Sequence, residues 1–247
     1  MAHEHVSAEN GRIIARKARD WGVSLVGFAD LAGLEAPAVS GWPRAVSMAL
    51  ALDPAALAGV DRGPTLSYFE EYKRANRALN EIAGRLSSFI LSLGYRAEPI
   101  PATWPEGPGS EEWIRELSAP FQHKTAATRA GLGWVGRNAL LITPAFGPRV
   151  RLATVLTDMP LPVGQPQTES GCGDCTTCIR LCPAGALSGK AWVPGLAREE
   201  LVDAPLCSQT ARRLLLERAG AENAVCGVCV AVCPVGRGER GHPWPGV

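Results

Sequence analysis

Residues 172–183 read C-G-D-C-T-T-C-I-R-L-C-P, and residues 226–234 read C-G-V-C-V-A-V-C-P. The first run has the spacing C-x2-C-x2-C-x3-C-P, which bacterial ferredoxins use to hold a [4Fe–4S] cluster. The second is the same run without its first cysteine. All eight cysteines of the chain (Cys172, Cys175, Cys178, Cys182, Cys207, Cys226, Cys229 and Cys233) lie beyond residue 171. A cubane cluster needs four thiolates around one small object, and a tight turn carrying Cys172, Cys175 and Cys178 presents three from one side. Cys182 follows at the start of a helical turn, where Pro183 suits the first helical position because no backbone donor is needed there.

In two-cluster ferredoxins the fourth cysteine of each run serves the other cluster. The first cluster then takes Cys172, Cys175, Cys178 and Cys233. The second takes Cys182, Cys226, Cys229 and one further ligand, which a regular run would place at 223. That residue is Asn223, and Cys207 is the only cysteine left over. Two [4Fe–4S] clusters on eight thiolates are therefore expected. Structural zinc uses paired C-x2-C knuckles with a longer spacer, a pattern that interleaved triplets ending in C-P do not follow. Disulfides belong to oxidising compartments. Residues 1–11 are polar, with neither an apolar leader segment nor a twin arginine, so a cytoplasmic protein is expected.

The composition adds bounds. With 247 residues, 46% hydrophobic and 20% charged, the chain can hold one large domain or two modest ones. A net charge of +1 supplies no basic field for nucleic acid. No stretch approaches the roughly 18 apolar residues of a membrane span. Neither nucleic acid nor membrane is an expected partner.

Hydrophobic spacing predicts a helix over 8–21, stopped at Gly22, and strands over 23–29 and 46–52. Tyr72, Ala75, Leu79, Ile82, Leu86, Ile90 and Leu93 predict a long helix over about 67–93. A strand over 95–100, a pocket-shaping loop over 101–110, a short helix near 121–130 and a strand over 149–157 follow. The run M-P-L-P-V-G-Q-P-Q, residues 159–167, reads as a linker. The expected fold class is α+β: an α/β domain over 1–165 for cofactor or substrate, then a small double-cluster, ferredoxin-like module over 166–247. Helices such as 207–216 give that module little core, so metal binding should be coupled to its folding.

Gly131, Gly133 and Gly136 spell G-x-G-x-x-G. The dinucleotide fingerprint needs a strand before it and a helix after it, and here the order is reversed. A nicotinamide or flavin dinucleotide is not expected. Three glycines in six residues suit either backbone passing close to something flat or bulky, or a tight helix-to-strand turn packed on Trp134.

G-L-G-W-V-G-R-N-A-L-L-I-T (131–143), L-T-D-M-P-L-P (156–162), the cysteine runs and D-A-P-L-C (203–207) together resemble the epoxyqueuosine reductases, relatives of the reductive dehalogenases. A-R-K-A-R-D-W-G-V-S-L-V-G-F-A near the start extends the likeness over nearly the whole chain. The resemblance implies a nitroreductase-like N-terminal domain that holds a base-off cobalamin against the double-cluster module. It implies that Gly131, Leu132, Gly133, Trp134, Gly136, Arg137 and Asn138 line the corrin. It also implies an external electron donor of ferredoxin or flavodoxin type.

Two departures follow. The family's D-S-A-P carries a proton-donating acid; here the matching stretch is L-S-A-P, and Leu117 cannot transfer a proton. Six residues on, where the family has a glutamate, this chain has His123. The family's C-terminal repeat domain, associated with holding tRNA, has no counterpart in the sequence. A reductase acting on a small molecule other than tRNA is therefore expected. The alternatives are an electron carrier or activator that reduces the corrinoid of a partner protein, or a two-cluster protein with a flavin or no further cofactor. His123 and Lys124 are the candidates for proton transfer, and capping or packing is the other reading of His123. Arg137, Arg149 and Arg151 would meet cobalamin amides, an anionic substrate or solvent.

Overall fold

The computed structural model describes residues 2–103, 117 and 119–237. Most of the loop expected over 101–110 therefore lies outside the described residues. Helix α1 (Ala2–Asp20) starts earlier than its apolar spacing announced. Ile14 and Ala18, one turn apart, are both fully buried. The helix ends as Gly22 turns left-handed (φ +96°), and the Val23 N–H closes back on the Ala18 carbonyl at 3.0 Å.

Strands β1 (Leu25–Asp30) and β2 (Arg44–Ala51) follow, then helix α2 (Leu66–Ser92) and strand β3 (Ala97–Ile100). Helix α3 (His123–Arg129) leads to a two-stranded hairpin, β4 (Trp134–Val135) and β5 (Leu141–Ile142), and then to β6 (Val150–Thr157). The main sheet has the order β1-β2-β6-β3. Its outer pairs are antiparallel, with Phe28 opposite Val46 and Ile100 opposite Thr154.

Both faces of this sheet are covered, which explains why β2 is buried at successive positions instead of alternate ones. Val46, Met48, Ala153 and Val155 pack with Ile14 of α1 and with Leu79, Leu86 and Ile90 of α2. Ala45 and Leu156, pointing the other way, pack with Phe121, Ala126 and Ala130. Helices on both faces of a sheet fit the expected mixed class.

The chain divides into two compact units. One comprises Met1–Ala51, Ala75–Leu132 and Arg151–Gln167; the other comprises Leu52–Arg74, Gly133–Val150 and Thr168–Val247. The expected boundary at 165/166 falls beside one crossing, 167/168. The chain also crosses at 51/52, 74/75, 132/133 and 150/151.

In the second unit the longest helix after residue 168 is α5 (Ala204–Ala219), preceded by α4 (Thr177–Arg180) and followed by α6 (Val228–Ala231). Asp203 caps α5 by accepting the Leu206 N–H at 2.9 Å, Pro205 sits in its first turn, and Gly220 (φ +65°) ends it. Among the described residues no helix is long and apolar enough to cross a membrane.

A candidate iron–sulfur centre

Four thiols, Cys172, Cys175, Cys178 and Cys233, line one pocket in the second unit. Cys178 stands at the second position of α4, after the turn that carries Cys172 and Cys175. Cys233 comes from the far end of the chain, two residues after α6. Burial, with the charges of Cys172, Cys233 and Cys175 close by, pushes the Cys178 thiol up to about 11. Burial likewise raises Cys233, against the Arg149 guanidinium, which favours its thiolate.

Cys182, Cys207, Cys226 and Cys229 form the second group. Burial raises the Cys207 thiol, and repulsion from Cys182 and Cys226 adds to it. Burial raises Cys229 further, with Cys226, Cys207, Cys178 and Cys182 contributing in that order. The four around the pocket are those that spacing gave to the first cluster. Cys178 is the member of the first group that Cys229 senses.

The pocket also fits such a group by its donor chemistry. Lost water and the neighbouring thiols make Cys178 and Cys233 resist ionisation, so thiolates at these two positions need a cationic partner among them. The four thiols ring a pocket instead of converging on one point, and among the described residues no three His, Cys, Asp or Glu side chains draw close enough to hold a single ion. Polynuclear clusters need the first arrangement, and tetrahedral zinc the second. No disulfide joins any of the eight.

Three side chains hold the loops that carry the thiols. Arg137 also lines the pocket and donates to the carbonyls of Gly189 and Gly173, the latter at 2.9 Å. Arg149 donates to Val235 (2.7 Å), Phe146 (3.2 Å) and the Cys233 carbonyl. Buried Asn138 donates to the Cys229 carbonyl at 3.3 Å. Spacing gives no sign of these partnerships, because all but Arg149–Phe146 join residues more than 35 positions apart. Arg149, left open between ligand and solvent by its strand position, is committed to backbone.

The glycine loop straddles the 132/133 crossing. Gly131 has φ +74°, and a Cβ there would stand 2.8 Å from the Gln165 carbonyl oxygen. At Gly133 a Cβ would collide with the Ile142 carbonyl, and at Gly136 with the Ile142 side chain. In the direction a Cβ would take, this chain's own backbone and side chains fill the space at all three glycines, as in a tight turn. Leu132 packs against the core of the first unit, while Trp134 and Gly136 belong to the hairpin of the second.

His123 opens α3 in the first unit. Its Nε2 lies 2.9 Å from the Pro101 carbonyl and its Nδ1 2.8 Å from Thr154 Oγ1. A carbonyl only accepts, so Nε2 carries the proton and Nδ1 accepts from the threonine hydroxyl. Burial, reinforced by the Arg151 charge, holds the imidazole down at about 4. At neutral pH His123 is therefore uncharged, with both nitrogens engaged. Lys124 follows it, half-buried. Arg151 donates to Asn76 at 2.7 Å, and Asn80 accepts the Ala102 N–H at 2.7 Å. The peptide group joining residues 101 and 102 is thus held at both its carbonyl and its N–H. Leu117 has a left-handed backbone (φ 51°).

Residues 171–236 match the family model of a 4Fe-4S double cluster binding domain. The epoxyqueuosine reductase of Bacillus anthracis is 36% identical over 125 residues, covering 49% of this chain and 31% of that protein. The enzyme of the same name from Escherichia coli strain K12 is 31% identical over 140 residues, 54% of this chain and 32% of that protein. The chain thus spans about a third of the length of these curated relatives. Among solved structures, a catabolic reductive dehalogenase aligns with a TM-score of 0.71 and 22% identity, over 94% of this chain and 32% of the other. An epoxyqueuosine reductase solved with a tRNA-Tyr stem loop aligns with a TM-score of 0.61 and 20% identity, over 93% and 66%. At such identities the likeness is one of fold. The chain is accordingly a relative of the epoxyqueuosine reductases, with the fold they share with a reductive dehalogenase and a double-cluster domain over residues 171–236.

Proposed function

We propose that the chain is an iron–sulfur, cobalamin-dependent reductase, acting on a small molecule other than tRNA with electrons from a ferredoxin- or flavodoxin-type donor. The observation that carries this reading is the partition of eight thiols into two groups of four inside the matched double-cluster domain. Cys172, Cys175, Cys178 and Cys233 would hold one [4Fe–4S] cluster, and Cys182, Cys207, Cys226 and Cys229 the other. Such clusters, when bound, store and release single electrons at potentials set by charge, hydrogen bonds and exposure. Arg137, Arg149 and Asn138 fix the loops that present the thiols.

Support for cobalamin comes from the shared fold. One solved reductive dehalogenase of that fold bears a title describing B12-dependent dehalogenation. Cobalamin, when bound base-off, would supply a strongly reducing metal to the substrate. Support for a substrate other than tRNA comes from Leu117, which has no proton to give, and from a net charge of +1. In this reading proton delivery falls to His123 or Lys124. His123 donates only after its bond to Pro101 breaks, so a His123→Ala variant that keeps full turnover would leave Lys124.

Anaerobic purification with iron, sulfide and zinc analysis tests the clusters. About eight irons per chain is the expected result; about four would remove one cluster, and stoichiometric zinc would end the reading. Titration with base-off cobalamin, followed by visible and EPR spectra, tests the rest. A retained corrinoid with no cobalt-bound base supports the reductase. No corrinoid affinity at micromolar protein leaves an electron carrier.

A further inference from the structure

Arg137 differs from the other arginines near the thiols in having a donor to spare. Its two terminal nitrogens are committed to the Gly189 and Gly173 carbonyls. Gly173 lies between Cys172 and Cys175, so the guanidinium is pinned to the first ligand loop. Its Nε is buried, yet among the described residues it meets no acceptor. The residue lines the same pocket as Cys172, Cys175, Cys178 and Cys233. Arg149 makes the contrast: its terminal nitrogens are spent on Val235, Phe146 and Cys233, and its Nε is not among the buried donors left without a partner.

A buried charged donor without an acceptor costs more than about 1–3 kcal/mol, so an unpaired one held rigidly at a pocket wall points to an acceptor inside the pocket. Sulfur is an acceptor, and a cluster ringed by four thiolates is anionic. Taking up one electron makes it more so, and a fixed cation with an N–H aimed at its sulfur stabilises the reduced state most. Asn138, the other polar side chain on this wall, is already committed to the Cys229 carbonyl and carries no charge.

The geometry points to Arg137 as the residue that sets the potential of the cluster held by Cys172, Cys175, Cys178 and Cys233, through an Nε–H bond to one of its sulfurs. The inference rests on the cluster reading above and adds to it which of the two clusters is poised and by what. Arg137 acts through the electron carrier and touches no substrate in this role; it is a positioning and tuning residue.

The test is an EPR-monitored redox titration of the reconstituted full chain, with dithionite as the one-electron reductant and iron counted in every sample. In Arg137→Met one cluster should become about tenfold harder to reduce, a fall of about 59 mV for one electron, with the other unmoved. Arg137→Lys, which keeps the charge and loses the Nε donor, should fall part of the way. Both potentials unmoved in fully loaded Arg137→Met would overturn the assignment. If that variant loses iron, wild-type protein grown with 15N-arginine decides: a weak 15N coupling to one reduced cluster in pulsed EPR supports the bond, and none overturns it. Wild-type protein that holds no cluster after reconstitution overturns the cluster reading itself, and this inference with it.

Discussion

The two units are held together by different means. Of the twelve largest fully buried side chains, nine (Ile14, Val46, Met48, Leu79, Leu86, Ile90, Val155, Leu156 and Met159) belong to the unit with the four-stranded sheet, and three (Val60, Ile142 and Leu215) to the unit with the cysteines. Among the described residues beyond 168, only Leu215 is of this kind. The first unit centres on large aliphatic side chains; the second buries mostly smaller ones, such as Val225, Val228, Val230 and Ala231, beside half-buried thiols, arginines and backbone carbonyls. The order of the second unit depends in addition on what the thiols hold, because half-buried thiols and the cations beside them favour order most when a cluster links them.

The comparison breaks most sharply when iron is removed. Chelation should abolish hydrogen-exchange protection over 52–74, 133–150 and 168–237 and leave 2–51, 75–103 and 151–167 protected; uniform protection in the apo form would contradict it. Next in size is Leu86→Ala. Emptying that fully buried site should cost about 2–5 kcal/mol in urea unfolding of the first unit, with iron content unchanged.

A third effect is pH-dependent. The His123 imidazole titrates near 4 in the folded chain and near 6.5 when free, so the unfolded chain takes up the proton first. Stability complete above pH 6.5 should therefore decline as pH falls toward 4, by on the order of 3 kcal/mol. His123→Gln should flatten that slope relative to wild type; an unchanged slope would show that the imidazole is not held neutral.

The smallest effects contrast two glycines. Gly41 has φ +78° with open space around it, and Gly41→Ala should cost about 1 kcal/mol from backbone strain alone. Gly133→Ala meets the Ile142 carbonyl and should cost more, with reduced iron incorporation as its sign. Equal costs would deny the close approach.

Much of this was legible in the sequence. The helix through Leu79 and Leu86 falls where its 3.6-residue repeat put it, and the strands around Phe28, Met48 and Val155 fall where short apolar runs put them, although their burial does not alternate. The grouping of Cys207 with Cys182, Cys226 and Cys229 followed from counting ligands. What periodicity could not carry is long-range closure: β4 and β5 are two residues each, too short to repeat, and their neighbours join the cysteine unit. Arg137 and Arg149 looked like ligand or solvent contacts since nothing local distinguishes an arginine bound for a distant carbonyl. Leu117 and the polar fastening of His123 show the reverse, chemistry visible as a residue type but without the geometry that gives it a use.

The crossings of the chain between units carry one more consequence, for the order in which the protein matures. A fragment starting at Thr168 would keep every thiol and lose Asn138, Arg149 and Gly147, whose missing Cβ lets the Val235 carbonyl approach. It would also lose Tyr68 and Val60, against which the turn at Gly227 closes. Those contacts have high sequence separation, so they form late in a folding reaction. Translation makes these clamps before the ligands, and Cys233, a member of the first group of four, is the last of the eight thiols to be made. Cluster delivery to this protein is therefore expected to be post-translational, waiting on a chain that has already looped back on itself.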